Sequence, residues 1–541
     1  MKKLLLLTMS MMLAATSVFG LYACTKEDPE KTLYIEIENA GFGVNWIEPL
    51  IDIFEEEHPG IKVKSSSIVK GAVTMIDKVK SGSTTQDLLF VENSYAHNNA
   101  DQKVTSNGVI YDSPYAEISD IFLEKIPGES LSIAEKMLPA FLDFNTFTQS
   151  DGSKKYYTMP WMQGPVGIVV NNNLWKDEYG KFPNTTDDFA EFCNILKNKG
   201  VTPFIYSLET SYWDDIYSVW MAQYDGQAGI KSFYDGYASY YHVDENGNIV
   251  EGVAQNGEET PRYVPEMMMD QGLREALGVL ENILSPEKGF SDSDDITLDF
   301  TLVQNKFLEG DDNILMMPNG GWLEREMELN YDSDELNISM AKIPVVSALG
   351  DKLGINGADG DDSILSAIID YVDGTTEFLP EFESSKGYAD EEVVAVVREA
   401  RSMVPANHGF AAVIPVYSTK IDLAKEFLQL VASNRGIEAM LKECGSMAPF
   451  KYNLESVKGD LSPFMFSVNN MVQEGTYFFT KECSLFMKGN LKLINQFSEK
   501  VSIKFGASDQ NDRQPANTVY SENYKYVADR WDTYKRDAGI A

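Results

Sequence analysis

Four short stretches of this chain set aromatic rings beside carboxylates or amides. Tyr212-Trp-Asp-Asp215 joins two rings to two acids, and Glu92-Asn93 follows the apolar run from Leu88 to Val91. Gly41-Phe-Gly-Val-Asn-Trp46 mixes Phe42 and Trp46 with Asn45, and Gly320-Gly-Trp322 puts an indole straight after two glycines. Such sets suit a ligand with C–H faces edged by hydroxyls: the ring packs on the face, and Asp, Glu or Asn bond the edge. The competing reading is structural in each case. Large apolar residues are mostly core, which on residue type alone favours burial for Trp322. Trp46 also shares a helical stripe with Leu50, and Tyr212–Asp215 could be an ordinary surface loop.

Signatures of catalysis are missing where they would be informative. Gly229-Ile-Lys231-Ser232 lacks the spacing of a phosphate loop, and neither G-x-S-x-G nor H-E-x-x-H occurs. His58, His97, His242 and His408 are scattered, so no local zinc set exists. The acidic runs 291–295 and 357–362 lack the EF-hand spacing with its closing Glu. The expectation is a non-enzyme with no metal and no cofactor. Paired carboxylates are abundant, so a secreted glycoside hydrolase stays open as the alternative.

The elements that must carry these residues alternate between strand and helix. Leu33–Ile37 has a strand period; Trp46, Leu50, Ile53 and Phe54 have a helical one, broken at His58-Pro-Gly60; Ile61–Lys64 alternates again. Leu88–Val91 is wholly apolar, as a buried parallel strand would be. A second such pattern opens at Tyr157, with a strand at Gly167–Val170. A Thr185-x-x-Asp188 cap then precedes Phe189, Phe192, Cys193 and Leu196 on one helical face. The order predicts α/β domains. At 541 residues the chain is too long for one core and fits two large domains. A segment over 347–407, Gly- and Asp-rich and then Val-rich, reads as an insertion with at least one helix.

The net charge of −38 argues against nucleic acid, whose phosphates need Lys and Arg. Lys2-Lys3, an apolar stretch from Leu4 to Val18 and small residues before Cys24 predict a signal peptide over 1–23, too short to span a membrane. Residues 24–31 read as a polar tether. Cys193, Cys444 and Cys483 allow at most one disulfide, and buried thiols are the simpler reading.

Taken in order, these pieces resemble the extracellular solute-binding proteins of bacterial carbohydrate ABC importers, the maltose-binding-protein type. The resemblance rests on Phe54–Val63 (FEEEHPGIKV), Gly82–Leu89, Tyr157–Trp161 with Gly167–Trp175, Phe182–Phe189, Phe307–Gly310 with Gly321-Trp322, and Ile414–Phe427. Leu-x-Ala-Cys24 is similar to a lipobox, which implies lipidation of Cys24. The resemblance implies an α/β, two-lobe periplasmic-binding-protein-like fold of class II type, with the ligand cleft between the lobes. Lobe 1 would combine 32–150 with 337–435 and carry the insertion; lobe 2 would combine 155–335 with 436–541. It further implies a sugar or oligosaccharide ligand, delivery to ABC permease subunits, a membrane link through the lipid alone, and a monomer on the outer face of the cell membrane. Ligand contacts are expected from Phe42, Asn45, Trp46, Glu92, Asn93, Trp161, Tyr212, Trp213 and Trp322, and from a loop at Gly445-Ser446. A non-sugar solute remains the third reading.

Overall fold

The structure, a computed structural model, describes residues 28–106, 108–149, 151–209, 211–235, 240–243, 249–254, 263–310, 313–332, 336–406, 409–444, 448–480, 484–497, 500–507 and 509–540. The expected signal peptide, Cys24, Cys483 and the Gly445-Ser446 loop lie outside the described residues.

The chain opens with β1 (Thr32–Asn39), α1 (Ile47–Glu57), β2 (Lys62–Val69), α2 (Ala72–Lys80), β3 (Leu88–Glu92) and α3 (Asn93–Asn99). Strand β1 pairs in parallel with both β2 and β3. Alternate residues of β3 serve two layers: Leu88 and Phe90 join the core that holds α1, while Leu89 and Val91 pack with Met75, Ile76 and Val79 of α2. A strand buried on both faces has to be apolar throughout, and the run at 88–91 is. The preceding acid is fixed by buried bonds. Asp87 accepts from Tyr34 N (3.0 Å), Ser418 Oγ (2.8 Å) and Lys420 Nζ (2.9 Å), tying the start of β3 to a distant segment of chain.

Strand β4 (Met159–Gln163) then completes the edge of this sheet, and after Gly164-Pro165 the chain enters a second sheet as β5 (Val166–Asn171). Helix α4 (Thr186–Asn198) starts as its cap predicts, with Thr185 Oγ1 accepting from Asp188 N (3.1 Å). Next come β6 (Thr202–Phe204) and α5 (Trp213–Asp235), which is broken at Gly226 (φ 79°). Helix α6 (Gln271–Leu284), β7 (Ile314–Gly320), the one-turn α7 (Leu323–Glu326) and β8 (Ile338–Ala341) complete this part, in the sheet order β6-β7-β5-β8.

The insertion folds as α8 (Ala348–Leu353), α9 (Ser363–Val372) and α10 (Asp390–Arg401). The chain returns through β9 (Met403–Pro405) to β10 (Gly409–Val413), which gives the first sheet its order β2-β1-β3-β10-β4. Helices α11 (Ile421–Ala432) and α12 (Asn434–Cys444) follow, then α13 (Pro463–Gln473), β11 (Thr476–Phe478), paired to β9, and α14 (Val501–Gly506). Two α/β lobes with three chain crossings form the expected two-lobe class II architecture. Among the described residues no helix is long and apolar enough to cross a membrane.

Pairing and packing move the lobe boundaries away from those read in the sequence. Lobe 1 runs on to 163, because β4 bonds β10 in the first sheet; β8, expected in lobe 1, bonds β5 in the second. Helix α12 lies beyond the expected switch at 435 but packs on α1 and α11, in lobe 1. The helices of the insertion dock on lobe 2. Asn184 Nδ2 donates to Asp370 (2.9 Å), Ser366 Oγ to Asp188 (2.7 Å) and Trp220 Nε1 to the Pro344 carbonyl (3.2 Å), and α10 packs on α5. These polar partners are single residues spread over α4, α5, α9 and two loops, and hydrophobic periodicity does not register them.

The crossings are stapled together. Arg401 donates to Asp373 (2.9 Å) and to the Ile343 carbonyl (3.2 Å), Lys342 reaches Asp373 (3.1 Å) and Glu474 (3.4 Å), and Gln163 Nε2 donates to the Pro405 carbonyl (3.2 Å). Cys193 is a buried thiol whose pKa burial raises, and Cys444 is buried as well.

Candidate functional site

A cavity of about 810 Å³ lies between the lobes at the strand ends. Lobe 1 supplies the loop Ala40–Phe42 after β1, then Glu92, Ser94, Tyr95 and Asn98 at the end of β3 and along α3, and Phe410 at the start of β10. Lobe 2 supplies Ser211, Tyr212, Asp214 and Asp215 before and within α5, with Trp322 and Glu326 after β7. The segment after β11 adds a third wall with Phe486, Met487, Asn490, Leu491 and Leu493. Ligand sites of open α/β sheets form at such strand ends, where loops from several strands converge.

The two glycines before Trp322 are there for space. A Cβ on Gly320 would lie 2.2 Å from the Trp322 ring, and one on Gly321 would lie 2.9 Å from Val468. Across the crevice, a Cβ on Gly164 would lie 2.4 Å from Phe42 and 2.7 Å from Trp322. With that space open, the indole sits edge-to-face with Phe42 (5.6 Å) of lobe 1 and Tyr212 (5.7 Å), and its Nε1 donates to the Tyr212 hydroxyl (3.3 Å). Trp322 keeps 7 % of its surface exposed, and that surface belongs to the cavity.

Around these rings the polar groups are held in place. Glu38 accepts from the backbone N–H of Ala72 (3.1 Å) and of Glu92 (2.9 Å), which fixes the residue at the end of β3. The Glu92 side chain accepts from Ser94 Oγ. Glu326 accepts from Gln304 Nε2 (2.9 Å), and burial raises its pKa. Burial likewise pushes the Tyr212 hydroxyl up, so it stays protonated as a donor. Two buried polar atoms at the cavity, Ser211 Oγ and Asn98 Oδ1, have no hydrogen-bond partner among the described residues. Orphaned buried polar atoms of this kind are costly unless a ligand or water meets them.

Four of the nine residues singled out in the sequence line this cavity: Phe42, Glu92, Tyr212 and Trp322. The others do not. Trp46 and Trp161 are both 1 % exposed and pack on one another at 3.8 Å, with Phe90 against each, as core of lobe 1. Trp213 is fully buried against Phe204 and Phe189, facing away from its neighbour Tyr212. Asn93 is buried beneath the start of α3, and Asn45 is exposed on the loop before α1. For Trp213 and Asn93 the reason is register, since each directly follows a cavity-lining residue and consecutive side chains leave the backbone in different directions. Tyr95, Asn98, Ser211, Glu326, Phe410 and the third wall were not legible. Glu326 could have been found as the i+4 neighbour of Trp322, whereas the third wall is a single helical turn (Ser484–Met487) and loop, too short to show a period.

Asp214 in α5 fixes the start of α14 by accepting from Val501 N (2.7 Å) and from Ser502 Oγ. Burial raises its pKa to about 6, opposed by the Ser502 bond. A raised folded pKa contributes stability that is full below the unfolded value near 4 and is lost as pH rises through about 6. Asp214→Asn keeps the shape and removes the ionisation. Its urea midpoint is expected to overtake wild type between pH 4 and 7, by up to about 3 kcal/mol in stability; parallel pH profiles would refute this.

The two lobes and the crevice at their strand ends define the fold class, a two-lobe α/β fold of the periplasmic-binding-protein type. Residues 39–271 match the model of the bacterial extracellular solute-binding protein family, a span that runs from the end of β1 into the start of α6. One solved structure of similar fold is described with biochemical and structural insights into xylan utilization by the thermophilic bacterium Caldanaerobius polysaccharolyticus. It has 13 % sequence identity and a TM-score of 0.50, over 94 % of this chain and 100 % of that one. No curated protein matches the chain.

Proposed function

We propose that this protein is a receptor that captures a sugar or oligosaccharide in the interlobe cavity and delivers it intact to the permease of an ABC importer. The observation that carries the reading is Trp322, held between Phe42 and Tyr212 at a cavity that also presents Glu92, Glu326 and the orphaned oxygens of Ser211 and Asn98. Rings pack on the C–H faces of a sugar, and fixed carboxylates and hydroxyls pair with its hydroxyls. The likeness in fold to a protein described in xylan utilization supports a xylan-derived saccharide as the first ligand to try. Binding between the lobes favours the closed arrangement, a hinge shift about the three crossings.

A thermal-shift screen over mono- and oligosaccharides tests the reading, because a ligand that binds only the folded state raises the melting temperature. A saccharide recovered unshortened after incubation separates a receptor from a hydrolase. Failure of every saccharide, with a shift from a peptide or polyamine, would overturn the carbohydrate assignment. The lipid anchor at Cys24 belongs to the same proposal: Cys24→Ala is expected to release the protein from the membrane fraction and abolish incorporation of labelled palmitate. Retention of both would refute the anchor.

A further inference from the structure

Where the insertion meets α4, one buried carboxylate has nothing to bind. Asp362 stands at the N-cap of α9, where an aspartate ordinarily accepts from a backbone N–H of the first turn, yet its side chain makes no capping bond. It is 8 % exposed, its Oδ2 is sealed from solvent, and it enters no hydrogen bond or ion pair among the described residues. A carboxylate set aside from water with neither donor nor cation is among the costlier arrangements a fold can hold.

Its surroundings are other acids. Asp187, in the first turn of α4, has its pKa raised by burial and then by the charges of Asp362, Asp188 and Asp351. Asp188 accepts from Ser366 Oγ (2.7 Å), whereas Asp187 and Asp351 have no ion-pair partner among the described residues. The lysines of this region are engaged elsewhere: Lys352 with the Tyr224 carbonyl and ring, Lys181 with Asp370. A neutral oxygen adjoins the acids. Ser347 Oγ accepts from Asp187 N (2.9 Å), and the Ser347 carbonyl accepts from Asn356 Nδ2 (3.3 Å). Gly357 N donates to the Asp361 carbonyl (2.7 Å), which folds the two ends of the loop 356–362 together. Asn356 Oδ1 is buried without a partner, as Asp362 Oδ2 is.

We propose that this junction is a calcium site, in which Asp187, Asp362 and Asn356 Oδ1 supply ligands and backbone carbonyls and water supply the rest. Among the described residues no three His, Cys, Asp or Glu side chains converge as a metal set. Calcium does not need one, because it takes about six to eight oxygens and accepts amide, carbonyl and water oxygens beside carboxylates. The run 357–362 lacks the EF-hand spacing because its partner carboxylate comes from α4, far earlier in the chain. The ion ties the loop of the insertion to lobe 2. None of these residues lines the interlobe cavity, so the site is independent of the ligand assigned there.

Thermal melts of the full exported chain test this, after treatment with EDTA and then with calcium, magnesium or sodium chloride at matched ionic strength. Millimolar calcium is expected to raise the wild-type melting temperature by about 2 °C or more, with a Kd of about 10⁻⁴–10⁻³ M, as in extracellular calcium modules. Asp362→Asn is expected to lose that shift and, freed of an unpaired buried charge, to melt above wild type in EDTA. Asp187→Asn is expected to lose the shift as well, and it carries the test should Asp362→Asn fail to fold. No calcium shift in wild type, a shift matched by magnesium or sodium, or the same shift in the variants overturns the site.

Discussion

Trp322→Ala is expected to weaken ligand binding by about thirtyfold or more, the loss typical when a central aromatic anchor of at least 2 kcal/mol is truncated. The ring touches both lobes, through Phe42 of lobe 1 and Tyr212 of lobe 2. Removing it takes away the packing surface and frees the Tyr212 hydroxyl. The indole is also 93 % covered, so alanine opens a void and costs stability as well. Trp322→Phe separates the two effects: it keeps most of the packing, loses the Nε1 donor, and should bind with intermediate affinity at near wild-type stability. Titration calorimetry beside urea unfolding reads both quantities. Wild-type affinity in Trp322→Ala would place the binding site elsewhere.

Trp161→Ala is expected to do the reverse. Its ring packs on Trp46 at 3.8 Å and on Phe90 at 5.4 Å, with 1 % of its surface exposed, so truncation should cost lobe 1 about 3–5 kcal/mol. The loss should appear as an earlier urea transition of that lobe. Below that transition, ligand affinity should match wild type, because no Trp161 atom lines the cavity. Lost affinity with unchanged stability would instead return Trp161 to the role that the family resemblance implied.

These two tryptophans show where the sequence is legible and where it stops. Strand and helix periods locate β1 to β3 and α4 because each buries one or two full faces, and burial writes itself into spacing. The same logic placed Trp46 on a helical stripe with Leu50, and the stripe won over the cleft. At Trp322 the indole follows Gly320 and Gly321, which sit where a Cβ would strike the ring or Val468. A ring framed by close approaches reads differently from one on a periodic face. What sequence could not show is whatever arises from docking of distant segments. The bonds of Asp188 to Ser366 and of Asn184 to Asp370 decide which lobe carries the insertion, and they join residues about 180 positions apart. The Phe486–Leu493 wall is equally silent, since a single helical turn and loop carry no hydrophobic period.

The docking of the insertion on lobe 2 has a practical side. Phe378, 81 % exposed, lies between α9 and α10 and is not among the residues that line the interlobe cavity. A dye attached there would ride with one half of the molecule, and a second dye on α1 with the other. If ligand closes the lobes as proposed above, their separation would follow that closure in real time and give an optical sensor for the ligand.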